Sequence, residues 1–312
     1  MTRLPPRRLG RSDVWVSPVG LGCWRFGGSG ETRGARWTAV PQPSVDAIVA
    51  AALAGGVTWF DTAEIYGHGA SERALAHALR SSGKAAREIV VATKWWPTWR
   101  FAGSLRRTLG DRERHLAPYP IDLHQIHHPT SLSSIGAQMT AMAALVRAGA
   151  IRAVGVSNFS AAQMRAAHAA LAARGVPLAT NQVRWSLVDR RVERDGLLAA
   201  ARALGVTLIA YSPLGQGQLC GAAASGADPL DGARAALRRG LSDVARALGA
   251  TPSQVALAWL LARGDDVVVL PGATRVAHVT DDLGALDLTL DAAARERLDE
   301  ASRRFLSPNN GA

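Results

Sequence analysis

Four side chains able to hold charge or exchange a proton lie close to the ends of short apolar runs in the first half of the chain. They are Asp61, Tyr66, Lys94 and His127. Each has an ordinary explanation when taken alone, such as a helix cap, a packed ring or a lysine that reaches solvent. Lysine and tyrosine are scarce, however, with two lysines and three tyrosines in 312 residues. If the fold brings these four residues together, they indicate a catalytic site.

Such a group suits proton donation to a substrate oxygen. A free phenol has a pKa of about 10, and a buried ammonium group on Lys94 is expected to lower the pKa of Tyr66 toward the working range. A buried lysine needs a counter-charge, which Asp61 can supply. His127 can donate a hydrogen bond to an oxygen held between it and Tyr66. Because that oxygen would gain negative charge, the predicted chemistry is reduction of a carbonyl group.

The elements that must position these residues alternate along the chain. Eight apolar runs, in which polar and apolar residues do not alternate, predict parallel strands that are buried on both faces of the sheet. They span 19–22, 58–62, 89–94, 121–127, 153–157, 178–183, 207–212 and 267–271. Segments whose apolar residues recur with the period of an α-helix lie near 44–54, 71–81, 101–115, 134–148, 160–173, 195–204, 241–249 and 276–284. Eight strands, each followed by a helix, predict an α/β fold of the closed (β/α)₈ barrel type.

The remaining segments fit around this barrel in one predicted domain, 1–312. Its parts are a β-hairpin at 7–17, the barrel at 19–284 with a long insertion at 215–240, and a C-terminal helix at 291–303. The alternative, an open doubly wound sheet, needs Gly-x-Gly-x-x-Gly and a helix directly after the first strand. Here Gly22 leads into Cys23 and Trp24, which favours the barrel. Active sites of such barrels form at the C-terminal strand ends, where all four residues would lie.

Composition and cysteine usage narrow the class of protein. With 48% hydrophobic and 20% charged residues, the chain has ordinary globular composition. No apolar run approaches the ~18 residues of a membrane span, and no apolar stretch follows the arginines near the start, so no signal peptide is predicted. The two cysteines, Cys23 and Cys220, form no disulfide framework and no metal-ligand spacing. We expect a cytoplasmic protein without a metal; a redox pair of the two thiols is an alternative to simple packing.

The chain is basic, with a formal net charge of +11. Nearly all of the positive charge comes from arginines distributed in pairs such as Arg106-Arg107 and Arg190-Arg191. Neither a block of like charges nor aromatic residues interleaved with basic ones occurs, so we do not expect nucleic acid as a partner. The positive field can favour a small anionic ligand.

The motifs at the strand ends resemble those of the aldo-keto reductases, from about residue 7 to about residue 305. They are Phe60-Asp61-Thr62-Ala63-Glu64-Ile65-Tyr66-Gly67, Thr93-Lys94, Asp122-Leu123 with His127, Gly155-Val156-Ser157-Asn158-Phe159, Asn181-Gln182-Val183, Tyr211-Ser212-Pro213-Leu214-Gly215-Gln216-Gly217 and Pro271-Gly272-Ala273. The resemblance implies reduction of an aldehyde or ketone by hydride transfer from NADPH. It makes Tyr66 the general acid, Lys94 the group that lowers the pKa of Tyr66, Asp61 the partner of Lys94, and His127 the group that orients the carbonyl.

The resemblance also implies a cofactor site. Ser157, Asn158 and Gln182 would bond the nicotinamide carboxamide, and Tyr211 would stack on the nicotinamide ring. The loop 212–217 would cover the pyrophosphate, and 272–282 would hold the adenosine and its 2′-phosphate, with Arg275 as the expected phosphate contact. The full predicted set is Gly22, Cys23, Asp61, Ser157, Asn158, Gln182, Tyr211, Ser212, Pro213, Leu214, Gly215, Gly217, Gly272, Ala273, Thr274, Arg275, His278 and Asp282.

The chain departs from the family pattern near the adenine. Asp282 stands where the family usually has Asn, and His278 where it has Gln or Arg. An ionised Asp282 can accept a hydrogen bond from the adenine amino group but cannot donate one. The contacts around the adenine are therefore expected to differ from those of the family.

Tryptophans near the same strand ends predict the kind of substrate. Trp95 and Trp96 follow the third strand, Trp24 the first and Trp185 the sixth. Flat rings bury large areas and stack on one another, so we expect a bulky apolar or aromatic carbonyl compound; core packing is the alternative for each ring. The predicted substrate contacts are Trp24, Trp95, His127 and Trp185.

Other functions fit the same resemblance less well. An NADP(H)-binding partner subunit with little turnover is one, because the cytoplasmic β subunits of voltage-gated potassium channels share this fold and cofactor. An isomerase or phosphate-ester enzyme would need a glutamate base or metal-binding carboxylates at the rim, and the strand ends lack such a set.

Overall fold

The computed structural model describes residues 3–28, 30–32, 35–37, 39–219 and 231–306. In chain order its strands are β1 (Arg7–Arg8), β2 (Trp15–Val16), β3 (Leu21–Gly22), β4 (Gly30–Thr32), β5 (Ala35–Trp37), β6 (Trp59–Asp61), β7 (Val90–Trp95), β8 (Leu123–Ile126), β9 (Ala153–Ser157), β10 (Leu178–Arg184), β11 (Thr207–Tyr211) and β12 (Val267–Leu270). Its α-helices are α1 (Gln42–Ala54), α2 (Ala70–Ser81), α3 (Gly103–Leu116), α4 (Ile135–Arg147), α5 (Ala161–Ala172), α6 (Arg191–Arg194), α7 (Leu197–Leu204), α8 (Asp231–Leu248), α9 (Pro252–Leu261), α10 (Val276–Leu283) and α11 (Ala292–Ala301).

The central sheet is a closed barrel of eight parallel strands. The sheet contains β3 and β6 to β12. Strand β3 pairs with β6, and from β6 onward each strand pairs with the one that follows it in the chain. The first and last strands meet through parallel bridges between Val19 and Val269 and between Gly22 and Gly272. The (β/α)₈ barrel predicted from the sequence is confirmed. That the whole chain forms a single domain stays a prediction.

Side chains on the strands alternate between the barrel interior and the surrounding helices, as the strand period of two requires. On β7, Ala92 packs inside the barrel and Lys94 contacts Asp61 there, whereas Trp95 packs in the layer between strands and helices. Thr93 likewise points outward and donates a hydrogen bond to Glu72 of α2, at 2.7 Å. This alternation decides which residues reach the active site.

The N-terminal hairpin, β1 with β2, closes the end of the barrel opposite to the C-terminal strand ends. Leu9 and Val14 are fully buried in one cluster with residues at the beginnings of the strands. The amide of Gly10 donates to the Thr207 hydroxyl at 2.8 Å, and a side chain on Gly10 would meet the Ala179 carbonyl oxygen at 2.6 Å. The predicted hairpin is therefore present, and it forms the floor of the barrel.

Side-chain caps mark the beginnings of several helices. Ser160 accepts a hydrogen bond from the Gln163 amide before α5, with the Gln163 side chain bonding back to complete a capping box. Asp291 caps α11 by accepting from the Ala294 amide at 2.7 Å, and the predicted helix at 291–303 is observed as Ala292–Ala301. The predicted helical segment near 195–204 is observed as Leu197–Leu204, which begins after Gly196 in a left-handed conformation.

The region before the last strand differs most from the prediction. The predicted helix at 241–249 is the second half of α8, which begins at Asp231 inside the segment 215–240 that we expected as an insertion. Helix α9 was not predicted, because its residues Val255–Leu261 are all buried and show no helical period. The hairpin formed by β4 and β5 was also missed. Among the described residues, no helix is both long and apolar enough to cross a membrane.

Candidate active site

A cleft of about 610 Å³ opens at the C-terminal ends of the strands. Many predicted site residues line it, namely Gly22, Cys23, Trp24, Asp61, Tyr66, His127, Ser157, Asn158, Gln182, Tyr211, Ser212, Pro213, Leu214, Gly217, Gly272, Thr274, His278 and Asp282. Lys94 lies behind the surface of the cleft and is completely buried. The predicted residues that do not line the cleft are Trp95, Trp185, Gly215, Ala273 and Arg275.

At the base of the cleft, Lys94 and Asp61 form a buried ion pair. The Lys94 ammonium group donates to Asp61 Oδ1 and, at 2.9 Å, to the Thr62 carbonyl oxygen; the Tyr66 hydroxyl lies 3.5 Å from Lys94 Nζ. The second carboxylate oxygen of Asp61 accepts from the side-chain amides of Gln125 and Gln182, each at 2.9 Å. Both oxygens of Asp61 are thus occupied, and this carboxylate is held in one orientation.

Burial and the neighbouring charges together determine the protonation of Tyr66 and Lys94. It raises the pKa of Tyr66; Lys94 opposes this and Asp61 adds to it, and the pKa ends above its ordinary value of 10. Lys94 lowers this pKa, as we expected, but burial outweighs it, so the pKa does not come down toward neutrality. For Lys94, burial alone lowers the pKa, but the charges of Asp61 and Tyr66 raise it above the ordinary value. At neutral pH the phenol therefore keeps its proton and the ammonium group keeps its charge.

His127 forms one wall of the cleft with aromatic neighbours. Its ring lies edge-to-face with Tyr66, at 5.6 Å between centroids, and with Trp96 at 5.2 Å, and it stacks on His128 at 4.9 Å. Burial, the Lys94 charge and His128 all lower the pKa of His127 well below its ordinary value. The imidazole is therefore neutral, and it can donate one N–H without adding charge to the cleft.

A second buried ionic network fastens the loop that carries Tyr66. The Glu64 carboxylate accepts from the Trp96 amide and from Arg112, and from Arg100 at 2.7 Å. Burial raises the pKa of Glu64, while Arg112, the Trp96 amide and Arg100 oppose that rise. Glu64 thus ties the loop after β6 to the loop after β7. Its role was not recognised from the sequence, although it lies two residues before Tyr66.

The far side of the cleft is held by a polar network at the ends of β9, β10 and β11. The Tyr211 hydroxyl donates to Asn158 Oδ1 at 2.9 Å, and Asn158 Nδ2 donates to the His127 carbonyl oxygen at 3.1 Å. The Ser157 hydroxyl donates to the Gln182 carbonyl oxygen at 2.9 Å. Side chains that the resemblance assigns to the nicotinamide are therefore ordered against one another.

Most of the non-glycine residues with a left-handed backbone conformation lie along this side of the cleft. Among the described residues, five that are not glycine have a positive φ, and Asn158 (62°), Ser212 (49°) and Gln216 (57°) line the cleft. Strained conformations of this kind recur at functional sites, and turns of this type present backbone N–H groups to anions. Gly215 faces away instead, since a side chain there would meet Val188 Cγ2 at 2.6 Å.

The segment after β12 forms the other end of the cleft. Arg275 is exposed, and its Nε donates to His278 Nε2 at 2.8 Å, while the Thr274 hydroxyl lies 3.5 Å from His278 Nδ1. Arg275 borders the cleft through His278 rather than lining it. Ala273 is buried beneath this turn.

Asp282 is buried, and burial together with the charge of Asp281 raises its pKa to about 8. Asp281 itself accepts from the Thr251 hydroxyl at 2.8 Å and from the Gln254 side chain at 3.1 Å. At neutral pH the Asp282 carboxyl group is therefore mostly protonated. It can both donate and accept, as the amide of Asn does, which corrects our expectation that it only accepts.

This protonation predicts how Asp282→Asn changes stability with pH. Between about pH 4 and pH 8 the folded state keeps a proton that the unfolded state has released, so stability falls as pH rises through that range. Asn is neutral in both the folded and the unfolded state, so the stability of the variant does not fall for this reason as pH rises. We expect the gain in Tm of the variant over the parent to be near zero at pH 4 and largest above pH 8, measured by thermal unfolding. A gain that is the same at all pH values would mean that Asp282 ionises normally in the fold.

Two predicted substrate contacts lie away from the cleft. Trp95 and Trp185 are fully buried, and their indole N–H groups donate to the Ser104 hydroxyl and to Glu193 Oε1, both at 3.1 Å. Trp95 follows Lys94 on a strand, so it must face the opposite side. Trp24 lines the cleft, whereas half-buried Trp96 packs edge-to-face against His127 and His128, which line it.

Cys23 lines the cleft, but its thiol is buried. Burial and the nearby Asp61 raise the pKa of this thiol well above its ordinary value, which disfavours the reactive thiolate. Cys220 lies outside the described residues, so a redox pairing of the two cysteines stays untested.

A tyrosine hydroxyl beside a buried Lys–Asp pair at the mouth of a (β/α)₈ barrel characterises this site, and comparisons with known proteins identify the family. The model of the aldo/keto reductase family matches residues 18–303. An uncharacterized oxidoreductase of Mycobacterium tuberculosis is 38% identical over 310 residues, which cover 95% of this chain and 92% of that protein. The chain therefore belongs to the aldo/keto reductase family, and it is an oxidoreductase.

Solved structures give the same result. The thermostable aldo-keto reductase Tm1743, solved with the inhibitor epalrestat, superposes with a TM-score of 0.81 and 31% identity over 96% of this chain and 100% of that one. An aldo-keto reductase from Klebsiella pneumoniae, solved in complex with NADPH, has a TM-score of 0.78 and 26% identity over 97% of this chain and 96% of that one. Enzymes of this family use NAD(P)H and act on carbonyl compounds.

Proposed function

We propose that this enzyme reduces an aldehyde or ketone to the alcohol with NADPH. The observation that carries the proposal is the buried Lys94–Asp61 pair beside the protonated Tyr66 hydroxyl, with neutral His127 facing the same cleft. In this geometry one acid and one neutral hydrogen-bond donor can meet a single substrate oxygen.

Each residue has a distinct role in the proposed reaction. The His127 imidazole donates a hydrogen bond that orients the carbonyl oxygen toward Tyr66. Tyr66 then gives its hydroxyl proton to that oxygen as negative charge develops there. Lys94 stabilises the phenolate that remains, and Asp61 keeps Lys94 charged and in place. NADPH, when bound, supplies the hydride that reaches the carbonyl carbon.

The residues of the cleft fit this cofactor. Its volume, about 610 Å³, is within the usual range for ligand sites. The left-handed turn at 212–217 suits a pyrophosphate, because successive backbone N–H groups can bind an anion. Asn158 and Gln182 carry amides suited to the carboxamide of nicotinamide, and Tyr211 offers a ring for stacking. The NADPH complex of the Klebsiella pneumoniae relative also supports this assignment.

Oxidation of NADPH at 340 nm, measured with a panel of aldehydes and ketones, tests the proposed reaction. We expect turnover, with higher kcat/KM for aromatic or bulky apolar aldehydes than for glyceraldehyde, because Trp24, Tyr66 and His127 line the cleft with aromatic rings. Tight NADPH binding without turnover of any carbonyl compound would favour a cofactor-binding partner subunit instead. Faster reduction of glyceraldehyde would contradict the proposed substrate class.

A cytoplasmic location, suggested by the low cysteine content, is part of the same proposal.

Arg275 is expected to select NADPH over NADH. Its guanidinium group is exposed beside His278 and Thr274, and a charge-assisted contact with a 2′-phosphate contributes about 1.5–3 kcal/mol. Arg275→Ala should therefore raise the Kd of NADPH by roughly 10- to 100-fold and change that of NADH little, as measured by fluorescence titration. Equal weakening of both cofactors would show that Arg275 only positions the turn.

A further inference from the structure

Arg184 is the last residue of β10, at the cleft end of the barrel, and was not recognised from the sequence. It follows Gln182 by two residues on the strand, so both face the barrel interior, and it pairs in register with Tyr211. Gln182 bonds Asp61 at the base of the site. Arg184 is one step closer to the mouth, where it is half-buried and lines the cleft.

The guanidinium group of Arg184 has no anionic partner among the residues that the structure describes. The group contacts the Tyr211 ring instead. The ring centroid lies 5.9 Å from the guanidinium carbon, which is at the outer limit of a cation–π interaction. Other arginines in the interior are bonded several times. Arg112 contacts Glu64 and Glu72, and Arg190 pairs with Glu193 and Asp299.

The carboxyl groups that line the cleft do not neutralise Arg184. Asp61 is paired with Lys94, and Asp282 is mostly protonated at neutral pH. Asp281 is held beside α9 by hydrogen bonds from Thr251 and Gln254, and among the described residues it forms no ion pair with Arg184. A half-buried guanidinium group without a counter-charge is a ready partner for a carboxylate or phosphate, because charge-assisted hydrogen bonds are strong and Arg can make two in parallel.

We propose that Arg184 binds an anionic group carried by the carbonyl substrate, so that the enzyme prefers aromatic or apolar aldehydes and ketones bearing a carboxylate or phosphate. This inference rests on the proposed carbonyl reduction. The cleft wall runs from His127, which is backed by Trp96, through Asn158 to Arg184. One substrate can thus meet an aromatic wall at one end and a cation at the other.

The cofactor diphosphate is the other anion that Arg184 could meet. Its proposed site is the turn at 212–217, which follows Tyr211, whereas Arg184 lies beside the Tyr211 ring and one strand closer to His127. This position favours the substrate. The experiment must nevertheless separate the two anions.

Steady-state reduction of two matched aldehydes tests the inference. 4-Formylbenzoate carries a carboxylate, and methyl 4-formylbenzoate has nearly the same shape without the charge. The holoenzyme is expected to favour the acid by about 10- to 100-fold in kcat/KM, the size of a charge-assisted contact. In Arg184→Met this ratio should fall to about one.

Arg165→Met is the matched control. Arg165 is exposed on α5 and does not line the cleft, so its loss lowers the net charge equally but should leave the ratio unchanged. An acid-to-ester ratio near one in the parent enzyme, or a ratio that Arg184→Met does not alter, would overturn the inference. An equal loss with both aldehydes, explained by a higher Kd for NADPH, would assign Arg184 to the cofactor and overturn it as well.

A binding measurement separates this inference from the proposed function. Benzoate, an anion without a reducible carbonyl, is titrated calorimetrically into the protein with and without NADP⁺, and benzamide serves as the neutral reference. If benzoate binds in an Arg184-dependent manner and no aldehyde is reduced, the anion site stands and the reductase proposal fails. If both aldehydes are reduced equally well and benzoate binding does not depend on Arg184, the reductase proposal stands and the anion site fails.

Discussion

Tyr66→Phe should remove nearly all carbonyl reduction while leaving the affinity for NADPH close to that of the parent enzyme. The substitution deletes one oxygen atom in the cleft, 3.5 Å from Lys94 Nζ, and keeps the ring that packs against His127. General acid catalysis of this kind contributes roughly 10²- to 10⁴-fold, so kcat should fall by that factor. Stopped-flow reduction under NADPH saturation and fluorescence titration of NADPH measure the two effects separately.

Tyr119→Phe offers a matched control for this experiment. Tyr119 is also buried and also loses one hydrogen bond, the one its hydroxyl donates to the Lys84 carbonyl oxygen at 3.2 Å, but it does not line the cleft. Its kcat should match that of the parent enzyme. A Tyr66→Phe variant that retains half of the parent activity would exclude Tyr66 as the proton donor.

Lys94→Met should abolish activity and also destabilise the fold. Without the ammonium group, the phenolate of Tyr66 loses its stabilising charge, and the fully buried carboxylate of Asp61 loses its only cationic partner among the described residues. Removing one member of a buried ion pair typically costs about 3–5 kcal/mol. We expect a decrease of that size in the free energy of unfolding, measured with urea, and at least a roughly 10²-fold loss in kcat.

Adding Asp61→Asn to Lys94→Met separates these two effects. The amide oxygen of Asn can still accept from Gln125 and Gln182, and no buried charge remains, so most of the lost stability should return. Activity should not return, because the ammonium group next to Tyr66 is still missing. If the double variant is no more stable than Lys94→Met, the buried charge of Asp61 is not what destabilises the single variant.

Much of this architecture could be predicted because the rules of a parallel barrel are local. Continuous apolar runs indicate strands that are buried on both faces, and the C-terminal ends of such strands lie at the same end of the barrel. The sequence alone could therefore predict that Asp61, Tyr66 and His127 lie close together. Gln125 was missed although the same rules reach it. It lies on β8, two residues before His127 and on the same face, within the segment 121–127 that was predicted as a strand.

Other features depend on quantities that no sequence pattern contains. The placement of Trp95 follows from its alternation with Lys94, but that of Trp185 depends on the path of the chain beyond β10. The pKa of Tyr66 reflects a balance between full burial and two opposite charges a few ångströms away, and only the distances decide its direction. Helix α9 is buried on all sides, which removes the period by which amphipathic helices are recognised.

The hairpin floor of the barrel has a consequence for the order of events in a catalytic cycle. Leu9 and Val14 seal the end opposite to the cleft, and Lys94 has no exposed surface through which it could exchange protons with bulk water. In the proposed reaction, substrate, alcohol and the replacement proton for Tyr66 would therefore all pass through the same opening. An alcohol in that opening would stand between the phenolate and water, so Tyr66 would regain its proton only after the product leaves.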